Sequence, residues 1–104
     1  MIIKENIRQI DFIGRYGGEE LAIALVETGN VPARLAAERI RQAVESTRIR
    51  VYDEDLSVTI SIGISTFPED CGEGKHLIDK ADVALYAAKE SGRNKTRVFR
   101  DLSL

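Results

Sequence analysis

Residues 13–25, IGRYGGEELAIAL, set two glycines and two glutamates between runs of strand character. The flanks lengthen both runs: IDFIGRY (10–16) and EELAIALVE (19–27) each read as a strand, with Gly17 and Gly18 between them. A type I′ turn needs positive φ at both central positions, so Gly-Gly is a strong hairpin signal. The chemistry of the tip has two readings. One is a surface hairpin with two solvated acids behind its turn. The other is a metal-dependent nucleotide site, where glycines lacking Cβ let the backbone approach a ligand. Mg²⁺ takes one or two protein carboxylates beside phosphate oxygens and waters, so one well-placed Glu is a sensible contribution. Successive strand side chains alternate, so Glu19 and Glu20 fall on opposite faces and only one can share a face with a given site.

Outward from the hairpin, ETGNVP breaks the strand pattern, and Pro32 sits where a helix can begin, since its missing N–H costs little in a first turn. From Ala33 to about Ser46, Leu35, Ala36, Ile40, Ala43 and Val44 recur at helical spacing. DEDLS (53–57) reads as a loop. SVTISIGIST (57–66) alternates, with Val58, Ile60, Ile62 and Ile64 on one face, and predicts a strand with that face buried. After the turn-rich FPEDCGEG, a second amphipathic helix carries Leu77, Ile78, Ala81, Leu85 and Ala88 as its apolar stripe, with Gly92 suited to cap it. KTRVF (95–99) predicts a last strand, and MIIKENIRQ at the start reads as the last turns of a helix. The order is helix end, strand, strand, helix, strand, helix, strand. It predicts an α+β sandwich, a mostly antiparallel sheet with helices packed on one face.

Composition bounds the function. The chain has 104 residues, 43% hydrophobic and 31% charged, which suits a single globular domain with its own core. A net charge of −2 speaks against nonspecific nucleic-acid binding, though a small phosphorylated ligand needs only a few local cations. No apolar run approaches the ~18 residues of a membrane span, and the N-terminus shows no signal-peptide pattern. Cys71 is alone, so an internal disulfide and a thiolate zinc site are excluded, and a reducing, cytoplasmic setting fits best. His76 has no partner His or Cys nearby in sequence and reads as a solvated or satisfied histidine rather than a ligand. Ser57, Ser61 and Ser65 lack a nucleophile-elbow context.

Two further constellations carry both a plain and a chemical reading. In LYAAKESGRNK, Lys89 and Arg93 lie four apart around the end of the second helix. They are placed to clamp phosphate oxygens, Arg as a fork and Lys as a point charge, or simply to complement the helix C-terminus. In RQID, Arg8 and Asp11 precede the first strand. They read as a surface ion pair of small worth, or as a grip on a phosphate or purine edge.

Taken in order and at their spacing, RYGGEEL, VTISIGIS and DKADVALYAAKESGRNK resemble the GGDEF family, the diguanylate cyclases. The resemblance runs from Ile7 to about Val98 and implies a nucleotide-cyclase-like fold. Such enzymes condense two GTP molecules into cyclic di-GMP with release of pyrophosphate, each subunit of a dimer presenting one GTP. By this resemblance Glu19 is the metal-binding acid of the signature, for Mg²⁺ or Mn²⁺. Glu20 is a second ligand or a helper at the attacking hydroxyl. Gly17 and Gly18 form the turn against the nucleotide, and Lys89 and Arg93 hold the terminal phosphates. RQID occupies the place of the family's inhibitory RxxD motif, so Arg8 and Asp11 would bind product cyclic di-GMP, with Arg39 supplying a second arginine. The signature departs mildly from the family pattern, with Glu19 in the third position and Leu21 in the fifth.

A larger departure lies upstream. The family domain opens with a strand bearing a metal-binding Asp, then helices that recognise guanine, and neither precedes Met1. The chain therefore reads as one N-terminally incomplete GGDEF domain, itself inactive, whose exposed sheet edges favour a homodimer or strand-exchanged oligomer. Two other functions stay open: a cyclic di-GMP-binding regulatory module working through Arg8 and Asp11, or a non-catalytic interaction domain.

Overall fold

The computed structural model describes residues 5, 12–17, 20–24, 28–70 and 72–102, with only the backbone described for 12–17 and 20–24. In chain order these form β1 (Phe12–Gly17), β2 (Glu20–Ala24), α1 (Asn30–Ser46), β3 (Ile49–Val51), β4 (Glu54–Leu56), β5 (Ile62–Ile64), α2 (Leu77–Glu90) and β6 (Thr96–Val98). Short 3₁₀ turns cover Gly74–His76 and Phe99–Asp101. The helical reading of MIIKENIRQ lies outside the described residues except at Glu5, which is helical.

The glycine-bearing stretch is an antiparallel hairpin, as its sequence predicts. β1 pairs with β2 from Phe12 opposite Ala24 to Gly17 opposite Glu20, with an irregularity between Arg15 and Gly17. Gly17 is thus the last rung of the ladder and not a turn residue. A second antiparallel pair joins β3 to β4, and β5 pairs with β6 in parallel. The fold is α+β, and two of its three strand pairs among the described residues are antiparallel.

The core lies where α1 meets β5 and β6. Ala33, Ala37, Ile64 and Val98 are buried together, with Ile62 packed against them. Small alanines let the α1 backbone come close to the strands. The buried stripe of α1 is Ala33, Ala37, Ile40 and Val44, which is rotated from the stripe expected of the sequence. Leu35 is 63% exposed and Ile40 only 4%.

On the opposite face of β5 the strand has no side chain at Gly63. A Cβ there would stand 2.7 Å from the Leu85 Cα, and closer still to the Leu85 amide nitrogen and the Ala81 carbonyl oxygen. α2 therefore lies directly on the β5 backbone, with Ala84 and Ala88 fully buried. Alternation along β5 sends Ile62 and Ile64 toward α1 and position 63 toward α2. The two helices take opposite faces of the β5–β6 pair, where the sequence pattern predicts both on one face. Gly63 resembled a polar-face residue because Thr59, Ser61 and Ser65 surround it.

Two other expectations change. Of SVTISIGIST only Ile62–Ile64 is strand, and Val58 is 47% exposed. Most of DEDLS, expected as loop, is β4, paired with β3 across a turn that opens on Tyr52 with φ 57°. The pair carries Arg50 and Asp55 as register partners 3.1 Å apart on an exposed surface.

Just after β5 the chain is fixed by a buried polar knot. Thr66 is buried, its N–H donates to Asp70 Oδ2 (2.7 Å), and its hydroxyl meets the Asn30 carboxamide at 2.6 Å. The orientation of that amide satisfying both neighbours has its nitrogen donating to Thr66 Oγ1 and its oxygen accepting from Arg100 Nε (3.2 Å) and Nη1 (3.1 Å). The start of α1, the β5 exit and the turn after β6 are thereby joined, and the Thr66 hydroxyl and Asn30 carboxamide both find partners.

Candidate functional site

The C-terminal end of α2 is the best-described part of the expected site. The helix stops at Glu90, with Ser91 as its C-cap. Gly92 has φ 118°, its N–H bonds to the Lys89 carbonyl (3.4 Å), and the Arg93 N–H bonds to the Ala88 carbonyl (3.0 Å). This paired closure is a Schellman motif, in which glycine supplies a conformation that L residues avoid. The Gly92 cap expected of the sequence is present.

The chain then does something a helix stop does not require. Arg93 (φ 62°) and Asn94 (φ 47°) also lie in the left-handed region. For a residue with a Cβ that conformation costs roughly 1–2 kcal/mol, and Asn tolerates it better than Arg. Contacts from elsewhere in the fold offset this cost. The Asn94 N–H donates to Ser61 Oγ (3.1 Å). Its side-chain nitrogen donates to Glu45 Oε2 (2.6 Å), and its oxygen accepts from Arg41 Nη1 (3.0 Å). Arg41 in turn donates to Glu38 Oε2 (2.5 Å).

Lys89 and Arg93 flank this turn, and both are exposed. Many other cations are engaged. Arg34 pairs with Asp101, Arg41 with two glutamates, Arg50 with Asp55 and Arg100 with Asp70, while Lys80 stands 4.9 Å above the Phe99 ring. Lys89 and Arg93 form no ion pair and no side-chain hydrogen bond among the described residues. Two unneutralised cations at one rigid turn can receive an anion with several oxygens. Lys89 also complements the carbonyl end of α2.

The remaining expected residues are placed unevenly. Gly17 and Glu20 face each other across β1–β2. Gly18, Glu19, Arg8 and Asp11 lie outside the described residues, as does Cys71. Arg39 sits on α1 and is exposed. Among the described residues no three His, Cys, Asp or Glu side chains come together as a metal group. No described helix is long and apolar enough to cross a membrane.

An open hollow of about 490 Å³ lies at the other end of α2, lined by Asp70, Gly72, His76, Asp79, Lys80 and Val83. It contains none of the expected site residues. Asp70 is committed to the Thr66 knot, and His76 is exposed, 3.9 Å from Glu73. Concavity and chemistry do not coincide here, and the unpaired cations at the α2 end are the stronger sign of a site.

Asn94, Arg41 and Glu45 were missed in the sequence reading. The signal available was the dipeptide Arg93-Asn94 after a capping glycine, since Asn favours left-handed backbone. Nothing local points to its partners, which are 53 and 49 residues away.

The sequence profile described as "Diguanylate cyclase, GGDEF domain" matches residues 1–95. Diguanylate cyclase A of Treponema denticola is 40% identical over 100 residues, covering 96% of this chain and 27% of that protein. The chain thus spans about a quarter of that curated relative. Among solved structures, the GGDEF domain of DgcB from Caulobacter crescentus, in complex with c-di-GMP, superposes with a TM-score of 0.84 at 30% identity. That match covers 96% of this chain and 60% of the other. The active GGEEF domain of a diguanylate cyclase from Vibrio cholerae gives 0.82 at 30% identity, covering 97% and 64%.

Proposed function

Because the chain belongs to the GGDEF diguanylate cyclase family, we propose that it is part of an enzyme that condenses two GTP molecules into cyclic di-GMP and releases pyrophosphate. The observation that carries this reading is the pair of exposed cations, Lys89 and Arg93, without an ion pair among the described residues, around the left-handed turn at the end of α2. They are suited to hold the terminal phosphates of one GTP. Gly17 and Gly18 give the nucleotide a side-chain-free approach. Glu19, with Glu20 beside it, would hold Mg²⁺ or Mn²⁺, which supplies charge neutralisation at the phosphates when bound. Glutamate in the third signature position is compatible with activity, as the Vibrio cholerae domain described as an active GGEEF domain indicates.

Phosphoryl transfer asks the protein for positioning and electrostatic stabilisation, with little covalent chemistry of its own. Two GTP molecules must face each other, so the working unit is a dimer with one nucleotide from each subunit. We expect the 104-residue chain alone to form no cyclic di-GMP from GTP and Mg²⁺. Incubation with GTP and Mg²⁺ followed by chromatographic detection tests this, and clear product would refute the inactivity.

A second reading is binding of cyclic di-GMP as a regulatory ligand, favoured by the complex in which the Caulobacter crescentus relative was solved. Arg8 and Asp11 would grip the ligand, with Arg39 contributing from α1. Calorimetry with cyclic di-GMP is expected to give heat for the wild type and a marked loss for Arg8→Ala. Equal heats would remove this site.

A further inference from the structure

We propose that Asn94, Arg41 and Glu45 form a clasp that positions Arg93 for a polyphosphate ligand; this deepens, and rests on, the phosphate reading of Lys89 and Arg93. The backbone groups at the end of α2 are already satisfied by the Schellman closure at Gly92 and Arg93. The clasp therefore adds nothing to capping. It holds Arg93 and Asn94 in the left-handed conformation, which is costly for residues with a Cβ.

The electrostatics of the clasp set its direction. The Asn94 carboxamide turns its oxygen to the Arg41 guanidinium (3.0 Å) and its nitrogen to the Glu45 carboxylate (2.6 Å). Both bonds are charge-assisted, and rotating the amide by half a turn would set donor against donor and acceptor against acceptor. Arg41 cannot easily swing away: its side chain is 15% exposed, with Glu38 at 2.5 Å and Glu45 at 3.6 Å. From the other side, Ser61 holds the Asn94 N–H. Two segments distant in sequence, α1 and the approach to β5, thus fix one residue, and its neighbour Arg93 is exposed with no side-chain partner among the described residues. A long cation on a fixed base loses less conformational freedom on binding than one on a loose loop. Asn94 is a positioning residue acting through Arg93.

The test uses the full 104-residue chain and magnesium tripolyphosphate as probe, by calorimetry and by the NMR signal of the Arg93 side-chain Nε–H. Lys89→Ala reports on the phosphate site itself. Asn94→Ala, Asn94→Gly and Arg41→Met report on the clasp, and glycine accepts the left-handed φ without strain, so Asn94→Gly decides the matter if Asn94→Ala does not fold. The wild type is expected to bind, with Lys89→Ala binding far more weakly. Each clasp variant is expected to lose about three- to tenfold in affinity, the equivalent of one long side chain left to be ordered on binding. The Arg93 signal, shifted by tripolyphosphate in the wild type, would shift less in each. The double variant Arg41→Met/Asn94→Ala should be no weaker than the worse single, since both remove one device. If Lys89→Ala weakens binding while the clasp variants bind and shift like the wild type, the clasp is refuted and the phosphate site stands. If the wild type does not bind, or Lys89→Ala changes nothing, the phosphate reading fails and the clasp's role fails with it.

Discussion

Gly63 and Gly92 show two different uses of a missing side chain. At Gly63 the obstacle is space, because backbone atoms of Ala81 and Leu85 occupy the Cβ position. Backbone cannot rotate out of the way as a side chain can, so Gly63→Ala is expected to destabilise by about 3 kcal/mol or more, at the upper end of overpacking effects. Urea unfolding would register this as a large fall in midpoint, and an unchanged midpoint would contradict the packing of α2 on β5. At Gly92 the obstacle is conformation. Its nearest neighbour is the flexible Lys95 side chain at 3.4 Å, so Gly92→Ala should cost only the left-handed strain, about 1–2 kcal/mol. Gly74, with nothing near its Cβ position and no positive φ, is expected to accept Ala within about 0.5 kcal/mol. The role of Gly92 was legible in the sequence because a helix needs a stop where its periodicity ends. That of Gly63 was not, since a residue in a polar alternation gives no sign that a helix backbone lies against it.

At the scale of elements, α1 separates periodicity from burial. Leu35 and Ile40 both belong to the apolar pattern, yet only Ile40 is in the core. Ile40→Ala is expected to cost about 2–5 kcal/mol and Leu35→Ala under about 0.5 kcal/mol, measured as paired denaturant midpoints. Equal losses would mean that Leu35 is covered in solution. Spacing alone restricts a helix to a face about a hundred degrees wide. Which edge of that face turns inward depends on where the strands lie. On α2, the Glu90 carboxylate one turn beyond the exposed Tyr86 raises the phenol above its ordinary value of 10.0, first as a hydrogen-bond acceptor and then by its negative charge. The fold holds the neutral phenol, so the contribution is complete below the ordinary value and is lost as pH rises through the raised one. Glu90→Gln is therefore expected to bring the Tyr86 titration back down. Ultraviolet tyrosinate titration, with Tyr86→Phe identifying the signal, checks it, and an unmoved curve would exclude the pair.

For the whole molecule the notable feature is β5. Helices cover both of its faces, while β6 is its only strand partner among the described residues. A strand covered on both faces is ordinarily an interior strand of its sheet, and an open edge there invites pairing with another chain. We expect the 104-residue chain to associate, as a homodimer or by strand exchange. Sedimentation across a wide concentration range would show this as a rising mass. A monomer independent of concentration, with a cooperative melting transition, would defeat it.

The sequence by itself determined the hairpin, the two helices, the short strands around Ile62–Ile64 and Thr96–Val98, the capping glycine and the family. Each is written in local chemistry: alternation, helical period, or a residue that alone tolerates a given φ. Only the tertiary structure decided that α1 and α2 take opposite faces of β5, that Leu35 stays outside, and that Asn94 is held by Arg41 and Glu45. These depend on contacts between segments tens of residues apart, and no window of sequence contains both partners.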